Sequence, residues 1–416
     1  MYDIIVIGAR AAGSPTAMLL AKKGYRVLLL DRATFPSDTL STHQIQIRGS
    51  LPLKRWGLLE PVLATDCPPV SELLFDMEPF SMQGKYPPCG GVEAVICPRR
   101  TILDKILVDA AVKAGAELRE DFLVEELLFE GERVTGVRGR MKSGGGESYP
   151  SVTEQARLVV GADGKHSLVA RQVKAQQYHS KPALTCAYYT YWEGLQLERG
   201  ELYGMSQSVA GFWLTNAGLA IIYTGYPIVE FQGIRRDIEG KFWQTMNLIP
   251  GMVERLRSGR QAERFYGTAD LPTFYRRPYG HGWVLVGDAG MAMDPITGQG
   301  IGNAFQDAER MADALDKVFS GRESWETAMQ RYTQARDWET LPMYEFTSQI
   351  ASFAPPSIEQ QVLFAALERK PEAASRFFGA LTGSVSLREF LSLPSLYRIL
   401  GIFGIGRVLF RKLIPS

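Results

Sequence analysis

The sequence predicts an α/β protein: a Rossmann-like domain assembled from separated segments, an inserted sheet of antiparallel strands, and a helical C-terminal region. Three observations carry this expectation. Residues 1 to 32 read as one βαβ unit with wholly apolar strands. Two later strands, ending at Val160 and Val286, each run into a glycine-flanked acid, Asp163 and Asp288. Between those corners, residues 180 to 270 lose helical periodicity and turn to strands rich in Tyr, Trp and Thr. Continuously apolar strands belong to parallel sheets buried on both faces, whereas antiparallel sheets can leave one face free.

Composition narrows the function classes. At 416 residues the chain is long enough for two or three domains. Its 46 basic and 45 acidic residues balance to +1, which gives no electrostatic case for nucleic acid. Cys67, Cys89, Cys97 and Cys186 form neither a Cys-x-x-Cys pair nor a ligand cluster with the four histidines, so the expectation is a reduced, cytoplasmic setting and no structural metal. The apolar run Ile4 to Ile7 is short and runs into glycine, which suits a buried strand better than a signal peptide. No run approaches the roughly 18 apolar residues of a membrane span.

In chain order, a strand from Asp3 to Ile7 leads through Gly8-Ala9-Arg10-Ala11-Ala12-Gly13 into a helix ending at Lys23, then a strand from Arg26 to Leu30 ends on Asp31. The turn fits a Gly-x-Gly-x-x-Gly dinucleotide fingerprint except that Arg10 replaces the second glycine, the one that lets backbone meet a pyrophosphate. Asp31 stands where a carboxylate can accept from ribose hydroxyls. Arg10 either supplies charge in place of backbone approach or, more simply, faces solvent. His43 follows a polar, turn-rich stretch and is equally readable as a pocket residue or a packing histidine.

A proline-rich, irregular segment, Cys67 to Gly91, leaves the first domain, and Pro98-Arg99-Arg100 precedes an amphipathic helix with Ile102, Leu103, Ile106, Leu107 and Ala110 on one face. Strands follow at Phe122 to Phe129, Arg133 to Met141 and Ala156 to Val160, with Ser143-Gly144-Gly145-Gly146 as a loop tip. The inserted sheet should hold Ala183 to Trp192, Gly200 to Gln207, Phe212 to Thr215 and Leu219 to Tyr226, with a hairpin at Asn216-Ala217-Gly218. Tyr189, Tyr191 and Trp213 there fit either the wall of a cavity for an apolar ligand or ordinary sheet packing. A helix near Arg235 to Met246 and a strand from Glu263 to Ala269 lead on.

The segment Val286 to Asn303 then ends a strand, presents Asp288 on a glycine-bounded turn, crosses Pro295 and opens a long helix. Glycines admit a ligand closely and a helix N-terminus offers free N-H groups. Further helical patterns run over 323 to 352 and 358 to 380. The apolar, basic tail from Phe390 to Ser416 reads as a helical flap or, alternatively, a membrane-surface contact.

The order and spacing of the three corners resembles the class A flavoprotein monooxygenases, the para-hydroxybenzoate hydroxylase-like FAD-dependent oxidoreductases, over roughly the first 330 residues. The resemblance implies a Rossmann-like FAD-binding domain from 1–72, 94–176 and 267–330, an antiparallel-sheet substrate domain from 73–93 and 177–266, and a helical region 331–416. By that likeness Gly8, Ala12 and Gly13, with Arg10, hold the pyrophosphate. Asp31, with Arg32, holds the adenosine ribose, Arg100 reaches the FAD, and Val124 lies by the adenine. Asp163 and Gly164 match a motif tied to FAD and NADPH use. Gly287 and Asp288 bind the ribitol, while Pro295, Gly298, Gly300, Ile301 and Asn303 bring a helix N-terminus to the flavin ring. The sequence departs from the family at Arg10, Met291 and Ala170, where glycine, histidine and arginine are common.

The implied reaction uses NAD(P)H, or reduced flavin from a separate reductase, and O2 to oxygenate an apolar or aromatic small molecule through a flavin C4a-hydroperoxide. His43 is the candidate catalytic residue; Tyr189, Tyr191 and Trp213 are candidate substrate contacts. Alternatives on similar flavin domains are reduction of a prenyl-type double bond, halogenation, or non-enzymatic lipid binding. The Trp-x-Trp-x-Ile-Pro array of many flavin halogenases is missing here.

Overall fold

The computed structural model describes residues 1–142 and 150–401. The glycine patch at 143–146 and the tail beyond 401 lie outside the described residues.

Three short apolar strands and the apolar end of a longer one build the central parallel sheet. Tyr2–Ile7 pairs with Val27–Leu30 on one side and Val152–Gly161 on the other, and Trp283–Leu285 pairs beyond Val152–Gly161. The register aligns Ile7 with both Leu30 and Gly161, and Gly161 with Leu285. Four carboxyl ends therefore finish at one level, although they come from segments up to 278 positions apart (285 minus 7). Glu117–Arg119 extends the sheet beyond Val27–Leu30.

Alternate side chains of these strands go to opposite faces. Ile4, Val6 and Leu29 pack with Met18, Leu103, Leu107, Phe305, Met311 and Leu315 of three helices, Gly13–Lys22, Arg100–Lys113 and Gly300–Phe319. Ile5, Ile7, Leu28 and Leu30 pack instead with Phe122, Leu127, Val134 and Val137 of the hairpin Phe122–Glu130 and Arg133–Met141. The sheet is thus dry on both faces, which is why its strands carry no polar alternation.

The second sheet runs in the order Arg260–Gln261, Thr185–Glu193, Leu219–Pro227, Ser208–Leu214, Gly200–Met205, Glu72–Met77, Phe80–Lys85. It is antiparallel except where Gly200–Met205 runs parallel to Glu72–Met77. One face is covered by Phe242, Met246, Met252 and Leu256 of two short helices packed on Trp192, Phe212, Ala220 and Ile222. The other face carries Tyr191, Ile221 and Trp213 in one cross-strand row and turns them towards the core beneath the parallel sheet.

Several boundaries differ from expectation for local reasons. The strand expected to reach Gln207 stops at Met205, because Met205 pairs with Ser208 across a two-residue turn. The helix expected near Arg235 to Met246 is two helices broken at Asp237, whose side chain caps Gly240 N–H at 2.8 Å. Pro371 starts a new helix, Pro371–Thr382, after Ile358–Glu368. Those two helices close over the edge of the second sheet, where Phe364, Phe377 and Phe378 surround Phe75. Among the described residues, no helix is long and apolar enough to cross a membrane.

Candidate functional site

Because four strands end at one level, the turns that follow them converge: Gly8 to Gly13, Asp31 to Ala33, Ala162 to Gly164, and Val286 to Gly290. A crevice at the carboxyl edge of a parallel sheet is where this class of fold takes ligands.

At one end the glycine turn is held by its own geometry. Gly8 has φ +101°, and a Cβ there would lie 2.4 Å from the Ala162 carbonyl oxygen. At Gly13 a Cβ would lie 1.7 Å from the Gly8 carbonyl oxygen, so the turn and the helix start touch through backbone, beside buried Ala12. Asp31 fastens the turn from the next strand. Its Oδ2 accepts from Ala9 N–H at 2.6 Å and its Oδ1 from Ala33 N–H at 2.8 Å. Each oxygen keeps one lone pair for a ligand hydroxyl. Arg32 is exposed beside it, and Val124 is buried in the hairpin layer that begins next to Asp31.

Arg10 does not face solvent. Its guanidinium donates to Asp104 Oδ2 at 2.6 Å, to Ser37 Oγ at 2.9 Å, and to the Ser37 and Asp38 carbonyls at 3.3 and 3.2 Å, and it lies over the Phe35 ring. Asp104 is fully buried and also takes a two-pronged contact from Arg100, with Nε and Nη2 at 2.9 to 3.0 Å. Two guanidiniums share one carboxylate, which leaves one net positive charge beside the glycine turn. That surplus suits a diphosphate.

The other end is built around Asp288. Gly287 takes φ +58°, with its missing Cβ 2.7 Å from Ala12 Cβ, and so joins the two ends of the crevice. Asp307, about two turns into the long helix, accepts the Gly287 N–H at 2.8 Å and the Tyr332 hydroxyl. Fully buried Arg336 donates to the Gly290 carbonyl, and Arg276 ties the two acidic corners through Ala289 O at 2.9 Å and Lys165 O at 3.1 Å. This scaffold leaves the Asp288 carboxylate with no hydrogen bond among the described residues and with open surface, yet deep in the fold. Burial raises its carboxyl above the usual range, with Lys165 and Arg100 opposing. A side chain that is open and desolvated at once faces a crevice and not bulk solvent.

Past that turn, Asp294 caps Pro295–Thr297 through Ile296 N–H, and its other oxygen takes Thr185 of the second sheet. Gly298, at φ +64°, packs against Gln44, and Gln46 Nε2 donates to Thr297 O at 3.0 Å. The helix Gly300–Phe319 opens on an exposed Gly300 that has free space where a Cβ would be, with Ile301 buried and Asn303 half-buried behind it. Asp163 uses Oδ2 to cap Leu168 N–H at 2.6 Å, while its Oδ1 is buried without a partner next to Gly164 at φ +78°. Burial raises this carboxyl too.

His43 is fully buried, at φ +61°, between the two domains. Its Nε2 is hydrogen-bonded to the Tyr191 hydroxyl, and its Nδ1 has no partner. Burial, then Arg100 and Arg99, lower it to about 3, so the ring is neutral at pH 7. Tyr189 meets His43 edge-on at 5.6 Å, and Arg99 lies 4.4 Å over the Tyr191 ring while pairing with Glu263 at 2.6 Å. Trp213 is buried on the same sheet face, with an unpartnered Nε1.

The residues that sequence reasoning missed are the buried supports: Asp104, Asp307, Asp294, Arg276 and Arg336. Asp104, Asp307, Arg276 and Arg336 sit in helical or strand patterns as ordinary charged residues, and Asp294 sits in the loop before Pro295. The only sequence signal was an Asp on the apolar face of a helix, as Asp104 is between Leu103 and Leu107. Among the described residues no group of His, Cys, Asp and Glu is placed to hold a metal.

The residues present fit FAD. The turn at Gly8 and Gly13 admits no side chain, the arginine pair answers a diphosphate, Asp288 is an unused acceptor, and Gly300 leaves the helix end open. Residues 1–190 match the FAD binding domain family. The chain is 25% identical over 348 residues to conditioned medium factor receptor 1 of Dictyostelium discoideum, covering 80% of this chain and 66%, just under two thirds, of that protein. It is 27% identical over 355 residues to a digeranylgeranylglycerophospholipid reductase of Methanocella arvoryzae, covering 80% of this chain and 81% of that protein. Among solved structures it superposes on the flavin-dependent brominase Bmp2 with a TM-score of 0.79 at 18% identity, over 99% of both chains. PqsL of Pseudomonas aeruginosa, described as a probable FAD-dependent monooxygenase, superposes with a TM-score of 0.68 at 20% identity, over 92% of this chain and 99% of that one. These structural likenesses fix the fold.

Proposed function

We propose that this protein is an FAD-dependent oxidoreductase, and that its reaction is monooxygenation of an apolar or aromatic small molecule with NAD(P)H and O2. The observation that carries the flavin reading is Asp288, an unpartnered carboxylate held open in a crevice by Asp307, Arg336 and Arg276. The match of residues 1–190 to the FAD binding domain family supports it independently.

Asp31 would take the adenosine ribose, Arg100 with Arg10 the diphosphate, and Asp288 the ribitol hydroxyls. The N-terminus of Gly300–Phe319 would face the flavin ring with its positive dipole end. FAD bound there supplies the electron transfer. The chain's own part is to orient and to dry the site. His43 stays neutral and holds the Tyr191 hydroxyl with Nε2, with Nδ1 buried and unpaired. The buried rings of Tyr189, Tyr191 and Trp213 keep water from that side.

A second reading, reduction of a prenyl-type double bond, is supported by the likeness to the archaeal reductase over 80% of the chain. The two separate in one experiment. Protein reconstituted with FAD is reduced anaerobically by NADH, NADPH or a separate flavin reductase, then mixed with oxygen over a substrate panel. Oxygen uptake matched by an oxygenated product supports monooxygenation. A saturated product without oxygen uptake establishes reduction, and chloride-dependent product establishes halogenation. Colourless protein that takes up no FAD overturns the flavin reading.

A further inference from the structure

Beside the crevice lies a second cavity of about 120 Å³, between the start of Gly300–Phe319, the helices Ile47–Trp56 and Trp325–Ala351, and the chain from Ala380 to Arg388. At roughly 10–15 Å³ per water, that is room for several waters, or a single ring with a short side chain. Asn303 and Thr340 line both this cavity and the space around Asp288.

Its lining is polar in a directed way. Gln46 is 6% exposed, its Nε2 is spent on Thr297 O, and its Oε1 is buried with no partner. A buried orphan acceptor asks for a donor from a ligand or water. At the mouth, Glu339 is already shared by Arg48 and Arg310. Arg388 has no carboxylate partner among the described residues; it lies 3.9 Å over the Trp338 ring and donates to the Trp338 carbonyl at 3.1 Å. Trp338 itself is 65% exposed and presents its other face beside that guanidinium. Pro342, Met343, Val385 and Leu387 supply an apolar wall between the acceptor and the cation.

We propose that this cavity binds a small organic anion: a flat or branched apolar body whose carboxylate meets Arg388 and whose hydrogen-bond donor meets Gln46 Oε1. Arg388 is exposed and Gln46 is buried, so the ligand's charged end lies outward and its donor inward. The site stands whatever reaction the flavin crevice performs, since none of its contacts involves the cofactor.

The test is calorimetric titration of the full-length protein, with and without FAD, using three single-ring probes: pyrrole-3-acetate, its neutral amide, and thiophene-3-acetate, which keeps the charge but lacks the N–H. Saturable binding of pyrrole-3-acetate is expected, with the amide and the thiophene acid each weaker by about tenfold or more, as for loss of a charge-assisted or buried hydrogen bond. Arg388→Ala, an exposed position, should abolish the preference for acid over amide. Gln46→Leu should abolish the preference for pyrrole over thiophene while keeping the acid preference. Trp338 fluorescence should change on binding, and the change should vanish in Trp338→Phe. Absence of saturable binding, or equal binding of acid and amide to the parent protein, overturns the proposal. So does binding that survives Arg388→Ala unchanged.

Discussion

Restoring the missing fingerprint glycine with Arg10→Gly is the sharpest perturbation of the nucleotide end, because the consensus and the structure predict opposite outcomes. On consensus grounds, glycine admits backbone to the diphosphate and should tighten FAD. In this structure Arg10 is the rivet between the glycine turn, Asp104 and the loop at Ser37 and Asp38. Its side chain is about a quarter exposed, so the full value of a buried charged contact does not apply. Asp104 retains its fork from Arg100 and is not left bare. Losing the remaining contacts should cost about 1–3 kcal/mol of stability, and glycine adds backbone freedom on top. Loosening the loop should also weaken FAD by about tenfold, or roughly 1.4 kcal/mol. Arg10→Lys should fall between, since an ammonium cannot match a fork contact. Urea unfolding and flavin fluorescence titration read both quantities. An Arg10→Gly variant that is as stable and binds FAD equally or more tightly would refute the rivet.

Two further perturbations address the domain interface and the flavin end. His43 has a folded value of about 3 against about 6.5 unfolded, so its neutral burial favours the fold fully above about pH 6.5 and loses that contribution as pH falls towards 3. His43→Asn, which tolerates the positive φ, should flatten stability against pH in that window; equal slopes for parent and variant in chemical denaturation would exclude His43 as the titrating group. Asp307→Ala strands the Gly287 N–H and the Tyr332 hydroxyl in the interior and should cost about 2–5 kcal/mol, while Asp307→Asn keeps an acceptor and should cost less. A loss below about 0.5 kcal/mol for Asp307→Ala, as at an ordinary surface site, would mean that it does not support the turn.

The parts of the fold legible in the sequence are those written locally. Strand burial, the glycine turn, Asp31 and the Asp288 corner each lie within about a dozen consecutive residues, and their period or spacing states their role. What was not legible depends on partners far along the chain. The parallel pairing of Glu72–Met77 with Gly200–Met205 has no local signature, because a strand's pattern does not name its neighbour. Arg10 read as a solvent-facing substitution because its partner Asp104 is 94 positions away and looks like one more charge on an amphipathic helix. Asp307 and Arg336 carry no local mark of their role for the same reason, although both are buried beneath the Asp288 turn. His43 could be placed at the domain interface only once Tyr191, 148 positions on, was beside it. Buried charges are readable from a sequence only when both partners fall in one motif, as Arg100 and Asp104 do at i and i+4 of one helix and Arg10, Asp307 and Arg336 do not.

The proposed FAD cradle has two ends, a nucleotide end at Gly8, Asp31 and Arg100 and a ring end at Asp288 and Gly300. Its most direct test is FAD titration of the purified protein beside Asp288→Ala, followed by flavin absorbance and fluorescence. The parent should become yellow with saturable, quenched flavin. The variant, having lost a free acceptor that supports no protein contact, should keep its thermal stability and bind FAD about tenfold or more weakly. A parent that takes up no flavin, or an Asp288→Ala variant with unchanged affinity and spectrum, would contradict it.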